Sequence, residues 1–386
     1  MKSLNGRRII KMPVYKDERA KKNKWYFTIN YKENGKYKKM LRRGFKTKKE
    51  AEAAMIEAQN AMNKGTYVEP SKTLYADFMK SWLKDKETTV KQSTLETYKY
   101  LVNNFIIPHL GQTELSKITP RQIQTLYNDL KSSNRLSDEN IRKIHTIINN
   151  SLNKAFKWEM IVRNPAALVE VPQVAKKEID VWNEEEIHRF LSFAKDSRYY
   201  AAFLLALTTG MRQGEILGLR WKDIDVENRT ISVVQTLSHK GQILSAGAKT
   251  AAGNRKISID ENTLNQLLSL KLKYKEEKMA NRPIYQDYDL VIRTSIGTPV
   301  SPRNLLRSFY SIIEKAQVRK IRFHDLRHTH ASLLLKQGVN PKIVAERLGH
   351  ANVKITLDTY SHLLPDLQKE TADEFGKIFY SNGTIT

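Results

Sequence analysis

The sequence predicts a multidomain chain, mostly α with small β parts. An N-terminal three-stranded sheet with a helix is followed by a helical bundle and then by an α+β domain. Three observations carry this. The chain has 386 residues, enough for two or three domains at about 150 residues each. Its apolar spacing is alternating near the N-terminus, helical through the middle and mixed beyond residue 183. Its charge is uneven: residues 1–49 hold 18 Lys or Arg against 3 Asp or Glu, which is +15 of the formal +25.

The basic segment is patterned. Lys24 to Tyr31 alternates as a strand, Glu33-Asn34-Gly35-Lys36 reads as a hairpin turn, and Tyr37 to Arg43 returns as a second strand. Thr47 begins a helix that runs to about Asn63, with Glu50 completing a capping box and Gly65 ending it. A folded basic sheet interleaved with Trp25, Tyr26, Phe27 and Tyr37 reads as a DNA-binding face. Its candidate contacts are Lys24, Tyr26, Lys38, Arg42 and Arg43. The first domain is set at residues 1–66.

Residues 71–168 read as a bundle of four helices. Leu74, Phe78 and Trp82 repeat at helical spacing, and Leu95, Tyr98, Leu101 and Val102 continue it. Thr119-Pro120 is a cap followed by proline at the first helical position. Ser137 opens a helix with Ile141, Ile144, Ile147, Ile148 and Leu152 on one face. Lys91 and Arg121 are the candidate phosphate contacts there. Residues 169–182 read as a linker, and Asn183 with Glu186 opens the last domain, 183–386.

Composition narrows the chemistry. A net charge of +25 favours a polyanionic partner. The absence of cysteine removes disulfides, thiolate metal sites and thiol catalysis. No run of about 18 apolar residues occurs and the N-terminal stretch lacks an apolar signal core, so a cytoplasmic protein with no membrane partner is expected.

Four stretches of the last domain carry chemistry. In the first, an apolar helix over Ala201–Leu207 stops at Gly210, and Arg212 stands near the start of the next helix, where guanidinium and helix dipole both favour an anion. The second is a β-region, with one strand over Thr230–Thr236, a turn at His239-Lys240-Gly241-Gln242, then Lys249 and a strand over Asn254–Ile259. The third, Arg322-Phe323-His324-Asp325-Leu326-Arg327-His328, opens a helix and puts His324 and Arg327 on one face. A metal shared by His324, His328 and His330 is the competing reading, but no third ligand of familiar spacing accompanies them. In the fourth, Asn340-Pro341 starts a helix that Gly349 ends, His350 follows, and Tyr360 lies on the next helix.

Taken together, Arg212, then His324-x-x-Arg327 112 residues on, then Gly349-His350, then Tyr360 ten residues after His350 closely resembles the tyrosine recombinase (phage-type integrase) family. The resemblance covers the whole C-terminal domain; the helical part resembles the family's SAM-like core-binding domain, and the basic sheet its arm-site-binding domain. It implies an integrase that cleaves and rejoins DNA through a 3′-phosphotyrosyl link, integrating or excising a phage or conjugative element. Arg212, Arg327, His324 and His350 would hold the phosphate, Tyr360 would attack it, and Lys249 would protonate the leaving 5′-oxygen. Glu215 suits the family's acidic position after the first arginine. No cofactor or metal is implied, because the arginines supply the positive charge. The implied partners are double-stranded DNA at core and arm sites, three further copies in a homotetramer docked through the C-terminal tail (Asp366 to Phe379), and accessory proteins for DNA bending and directionality. The alternatives are a Xer-like resolvase of the same chemistry, which the basic sheet argues against, a type IB topoisomerase, a non-catalytic DNA-binding regulator and a metal hydrolase.

Overall fold

A computed structural model describes residues 14–33, 36–63, 72–174, 179–238, 241, 244–246, 254–360, 372 and 375–376. The Asn34-Gly35 turn, Gly65, Lys249 and nearly all of the C-terminal tail lie outside the described residues. The chain divides into two compact units between residues 176 and 177, within the segment read as a linker.

In the first unit, β1 (Val14–Lys16), β2 (Trp25–Glu33) and β3 (Lys36–Phe45) form an antiparallel sheet in that order. Alternation in β2 sends Phe27 and Ile29 to one face, where they bury against Met55, Ala58 and Met62 of α1 (Lys48–Asn63). The α1 cap forms as its sequence dictates. The Glu50 amide donates to Thr47 Oγ1 at 3.2 Å, and the Thr47 amide donates to the Glu50 carboxylate at 3.4 Å.

The same unit holds a helical bundle: α2 (Tyr75–Glu87), α3 (Gln92–Leu101), α4 (Ile107–Leu110), α5 (Pro120–Ser132) and α6 (Asp138–Lys157). Thr119 and Gln122 make a capping box at α5. Trp82, Tyr75, Tyr127 and the α6 isoleucines fill the core, and the buried Tyr75 hydroxyl finds Ser151 Oγ at 2.7 Å. Val102–Ile106, between α3 and α4, is a π-helical turn. Pro108 has no N–H to give the carbonyl four residues back, so the chain widens just before it.

The second unit runs α7 (Glu184–Ala194), α8 (Tyr200–Thr209), α9 (Gln213–Gly218), β4 (Ile224–Asp225), β5 (Thr230–Val233), β6 (Gln235–Leu237), β7 (Leu244–Ala246), β8 (Arg255–Ser258), α10 (Glu261–Ala280), α11 (Pro302–Ala316), α12 (Asp325–Lys336), α13 (Pro341–Leu348) and α14 (Val353–Tyr360). Asn183 and Glu186 form the capping box of α7. Trp182, the last residue of the linker reading, is a core residue here. It packs on Phe190 and Phe309, and its indole N–H donates to the Arg319 carbonyl at 2.7 Å. The helix α8 is apolar on every side because it runs through this core.

The strand expected over Thr230–Thr236 is broken at Val234. β5 joins β4 and β8, while β6 pairs with β7. The cause lies in α9. Its glycine edge presses on β6 so closely that a Cβ at Gly214 would meet Thr236 Oγ1 at 2.6 Å and the Leu237 carbonyl at 2.7 Å. Gln235 Nε2 also donates to the Gly218 carbonyl at 3.0 Å, which fixes β6 against the helix.

Candidate active site

Three helix ends build the site. α8 stops at Gly210, whose φ of 65° is left-handed. A side chain there would be strained, and its Cβ would meet the His330 ring and Leu348 at 2.7 Å each. α13 ends at Gly349, also left-handed at φ 68°. α12 begins beside both, with Arg327 in its first turn.

The end of α13 explains why the arginines converge. Its last carbonyls have no partner within the helix and carry partial negative charge. Three consecutive ones accept guanidinium groups from three different elements. Arg255 Nε donates to the Arg347 carbonyl at 2.6 Å, Arg327 Nη2 to Leu348 at 2.6 Å, and Arg212 Nη2 to Gly349 at 3.4 Å. Arg327 Nη1 donates to the Gly210 carbonyl at 2.7 Å. Glu215, 5 % exposed, sits between the other two arginines, accepting from Arg212 Nη1 at 2.8 Å and from Arg255 Nη2 at 2.9 Å. Burial would raise its carboxyl, but the two guanidiniums outweigh burial and hold it below the usual range. The helix that Arg212 opens has only six residues, and its first-turn anion is Glu215 itself, which accepts the Arg212 amide at 2.9 Å.

Arg327 differs from its neighbours. It is 3 % exposed, and among the described residues no carboxylate pairs with it; two carbonyls hold it instead. Burial, then the nearby Arg212 and Arg255, pull its guanidinium below the ordinary value, with Glu215 acting the other way. A guanidinium does not give up its proton in a protein, so this site is a buried cation with unused N–H donors, which an arriving anion would relieve.

Around it stand imidazoles and a phenol. His324 is exposed at the α12 start; its ring meets that of His328 edge-on, with centroids 5.0 Å apart. His350 Nδ1 is 2.8 Å from Thr356 Oγ1. Burial and then the arginines Arg327 and Arg212 push His350 down to about 4. Tyr360, 1 % exposed, packs with Ala331, Leu335, Val344 and Leu348, and its hydroxyl is hydrogen-bonded to His328 Nδ1. Burial pushes the phenol up to about 12, while Arg327 pulls it the other way. The three histidines weighed as a metal site do not converge: His328 faces Tyr360, and His330 Nδ1 is 2.7 Å from the Leu207 carbonyl.

Comparison with known proteins places this arrangement. The phage integrase family model matches residues 181–366, the phage integrase SAM-like N-terminal domain matches residues 74–131, and an arm DNA-binding domain matches residues 13–62. The chain is 31 % identical over 375 residues to a XerC-like tyrosine recombinase of Caldanaerobacter subterraneus, covering 91 % of this chain and 95 % of that one. It is also 31 % identical to the ICEBs1 integrase of Bacillus subtilis, over 76 % and 80 % of the two chains.

The chain belongs to the tyrosine recombinase family.

It is thus an enzyme that breaks and rejoins DNA strands, a site-specific recombinase of a mobile element. The fold agrees. The Tn1549 transposon integrase, solved with a circular intermediate DNA, superposes with a TM-score of 0.67 at 20 % identity, covering 78 % of this chain and 99 % of that one. A lambda integrase dimer bound to a core site gives 0.57 at 19 %, covering 92 % and 96 %.

In this recombinase Arg212, His324, Arg327, His350 and Tyr360 all lie around the α12 start and the α13 end. Lys249 lies outside the described residues. The N-terminal candidates divide between two faces of the sheet. Tyr26 pairs with Arg43 in register, stacks on Tyr15 at 5.4 Å and carries the Arg43 guanidinium 5.4 Å from its ring. Arg42 and Lys38 pair with Phe27 and Tyr31, on the face that carries the core. Lys24 immediately precedes β2 and is half-buried; Lys91 and Arg121 are exposed at the starts of α3 and α5. Sequence reasoning assigned no role to Arg255 and weighed His328 and His330 only as metal ligands. An arginine inside a short alternating strand was the sole signal for Arg255. Among the described residues no helix is long and apolar enough to cross a membrane.

Proposed function

We propose that this recombinase integrates and excises its element by attack of Tyr360 on a DNA phosphodiester, leaving a 3′-phosphotyrosyl link and a free 5′-hydroxyl. One observation carries the reading: among the described residues Arg327 is a buried guanidinium without a carboxylate partner, in the same side-chain cluster as a buried phenol. A phosphodiester supplies the missing anion. Arg327 and the partly exposed Arg212 would grip its non-bridging oxygens, where charge builds as the phosphorus is attacked. His324 and His350 would donate to the same oxygens. Lys249 takes the general-acid role from the family pattern. Guanidinium groups provide the charge neutralisation, so cleavage is expected to proceed in EDTA.

The wider reading assigns residues 1–66 to arm-site DNA, 71–168 to core-site DNA and 183–386 to catalysis. Double-stranded DNA is the partner, four copies assemble on two sites through their C-terminal tails, and DNA-bending and directionality proteins assist. The test is a nicked suicide duplex carrying the core site. Wild type should become covalently attached and Tyr360→Phe should not. Attachment of Tyr360→Phe would remove Tyr360 as the nucleophile.

A further inference from the structure

The proton on Tyr360 must leave when its oxygen bonds to phosphorus. At neutral pH that proton is firmly held, because the side chain is buried. A buried hydroxyl needs an acceptor for its hydrogen. Among the described residues its hydrogen-bond partner is Nδ1 of His328. If that nitrogen carried the proton, the phenolic hydrogen would have nowhere to go. The pair is therefore satisfied only with the phenol donating, Nδ1 bare and the imidazole hydrogen on Nε2. His324 and His328 are four residues apart on one face of α12, and the two divide the space: His324 is exposed toward solvent, while His328 reaches Tyr360.

We propose that His328 accepts the Tyr360 proton during DNA cleavage and returns it during rejoining. This rests on the reading of Tyr360 as nucleophile. In cleavage the phenolic oxygen bonds to phosphorus, the bond from phosphorus to the 5′-oxygen breaks, and the phenolic proton passes to Nδ1. The 5′-oxygen takes its proton separately, from the leaving-group acid. Rejoining reverses each transfer, so one imidazole serves both directions. Burial first, then His324, Arg327 and Arg322, with Asp325 opposing, keep His328 neutral and ready to accept at physiological pH. The imidazolium formed would stand beside the phosphate in the transition state, where positive charge is useful.

The test compares wild type, His328→Asn and Tyr360→Phe on the nicked suicide duplex. Asn places an amide oxygen near the Nδ1 position, so it can hold the phenol but cannot take its proton. His328→Asn should bind the duplex as wild type does and form the covalent link at least about 100-fold more slowly. Its residual rate should rise with pH, as hydroxide replaces the imidazole, and added imidazole should speed the smaller His328→Ala. Linking by His328→Asn at the wild-type rate and pH profile, while Tyr360→Phe stays unlinked, overturns the role of His328 and leaves the nucleophile standing. Linking by Tyr360→Phe overturns the nucleophile. A second measurement needs no DNA. Nitrogen-15 spectra of histidine-labelled protein should show His328 protonated on Nε2, with a signal that moves in Tyr360→Phe. A proton on Nδ1 in the wild type overturns the proposal whether or not the variants fold, and an unmoved signal in folded Tyr360→Phe overturns it too.

Discussion

Arg255 and Glu215 form an ion pair at 2.9 Å in which each side chain is only 6 % exposed. The pair joins β8, the strand that follows the Lys249 region, to the helix that Arg212 opens. Glu215 also holds Arg212, and Arg255 also holds the Arg347 carbonyl at 2.6 Å. A charge that looks structural therefore sets the position of Arg212, the arginine proposed to grip the phosphate.

Glu215→Gln should then cost more than a lost surface contact. It keeps the shape but removes the buried negative charge that both Arg212 and Arg255 contact. Breaking one partner of a buried pair typically costs about 3–5 kcal/mol. Urea unfolding of the variant should show a loss in that range, with cleavage reduced as Arg212 loses its anchor. A loss below about 1 kcal/mol would mean that the pair contributes no more than an exposed one.

Arg327→Lys tests geometry rather than charge. Two forked bonds, to Gly210 and Leu348, fix the guanidinium plane. Lysine keeps the charge as a single point on a flexible stem and cannot span both carbonyls and a phosphate. Covalent linking should fall about 10²–10³-fold, with DNA affinity changed little. A variant within a few-fold of wild type would show that charge alone suffices.

Local chemistry was legible in the sequence and distant contact was not. The Thr47–Glu50 and Asn183–Glu186 boxes could be read because both partners lie within one turn. The pattern from Arg212 to Tyr360 could be read because its short motifs resemble those of a known family. The break at Val234 could not, since it depends on glycines some 20 residues earlier pressing on the strand. Nor could the Tyr360–His328 bond, which joins residues 32 apart. Alternation puts Arg42 and Arg43 on opposite faces of the basic sheet, but only the register shows that Arg42 shares the face of Phe27 and Arg43 that of Tyr26.

Acid should destabilise the C-terminal unit well before its carboxylates titrate. His330 is 6 % exposed. Burial and then Arg347 hold it down to about 4, against an ordinary 6.5, with the Leu207 carbonyl opposing. As pH falls through about 6.5 the unfolded chain takes up this proton and the folded chain does not. Stability is thus full above pH 6.5 and declines toward pH 4, by up to about 3 kcal/mol from this group. His330→Asn keeps a donor for the Leu207 carbonyl and cannot titrate. Urea midpoints between pH 7 and 4.5 should fall less steeply in it than in wild type. Equal slopes would remove His330 as the cause.

The two faces of the N-terminal sheet make the last prediction. Arg43 lies beside Tyr26 on the open face, near Tyr15, and its ion pair with Asp17 is long at 3.7 Å and exposed. Such a pair is weak, so the guanidinium can be given up to a DNA phosphate. Arg42 projects to the side that covers α1 and is partly enclosed there. Arg43→Ala should weaken binding to arm-type DNA and lower the slope of log affinity against log salt by about 1, the signature of one lost phosphate contact. Arg42→Ala should leave that slope unchanged. The reverse result would place the DNA against the helix-bearing face and require α1 to take part in contacting it.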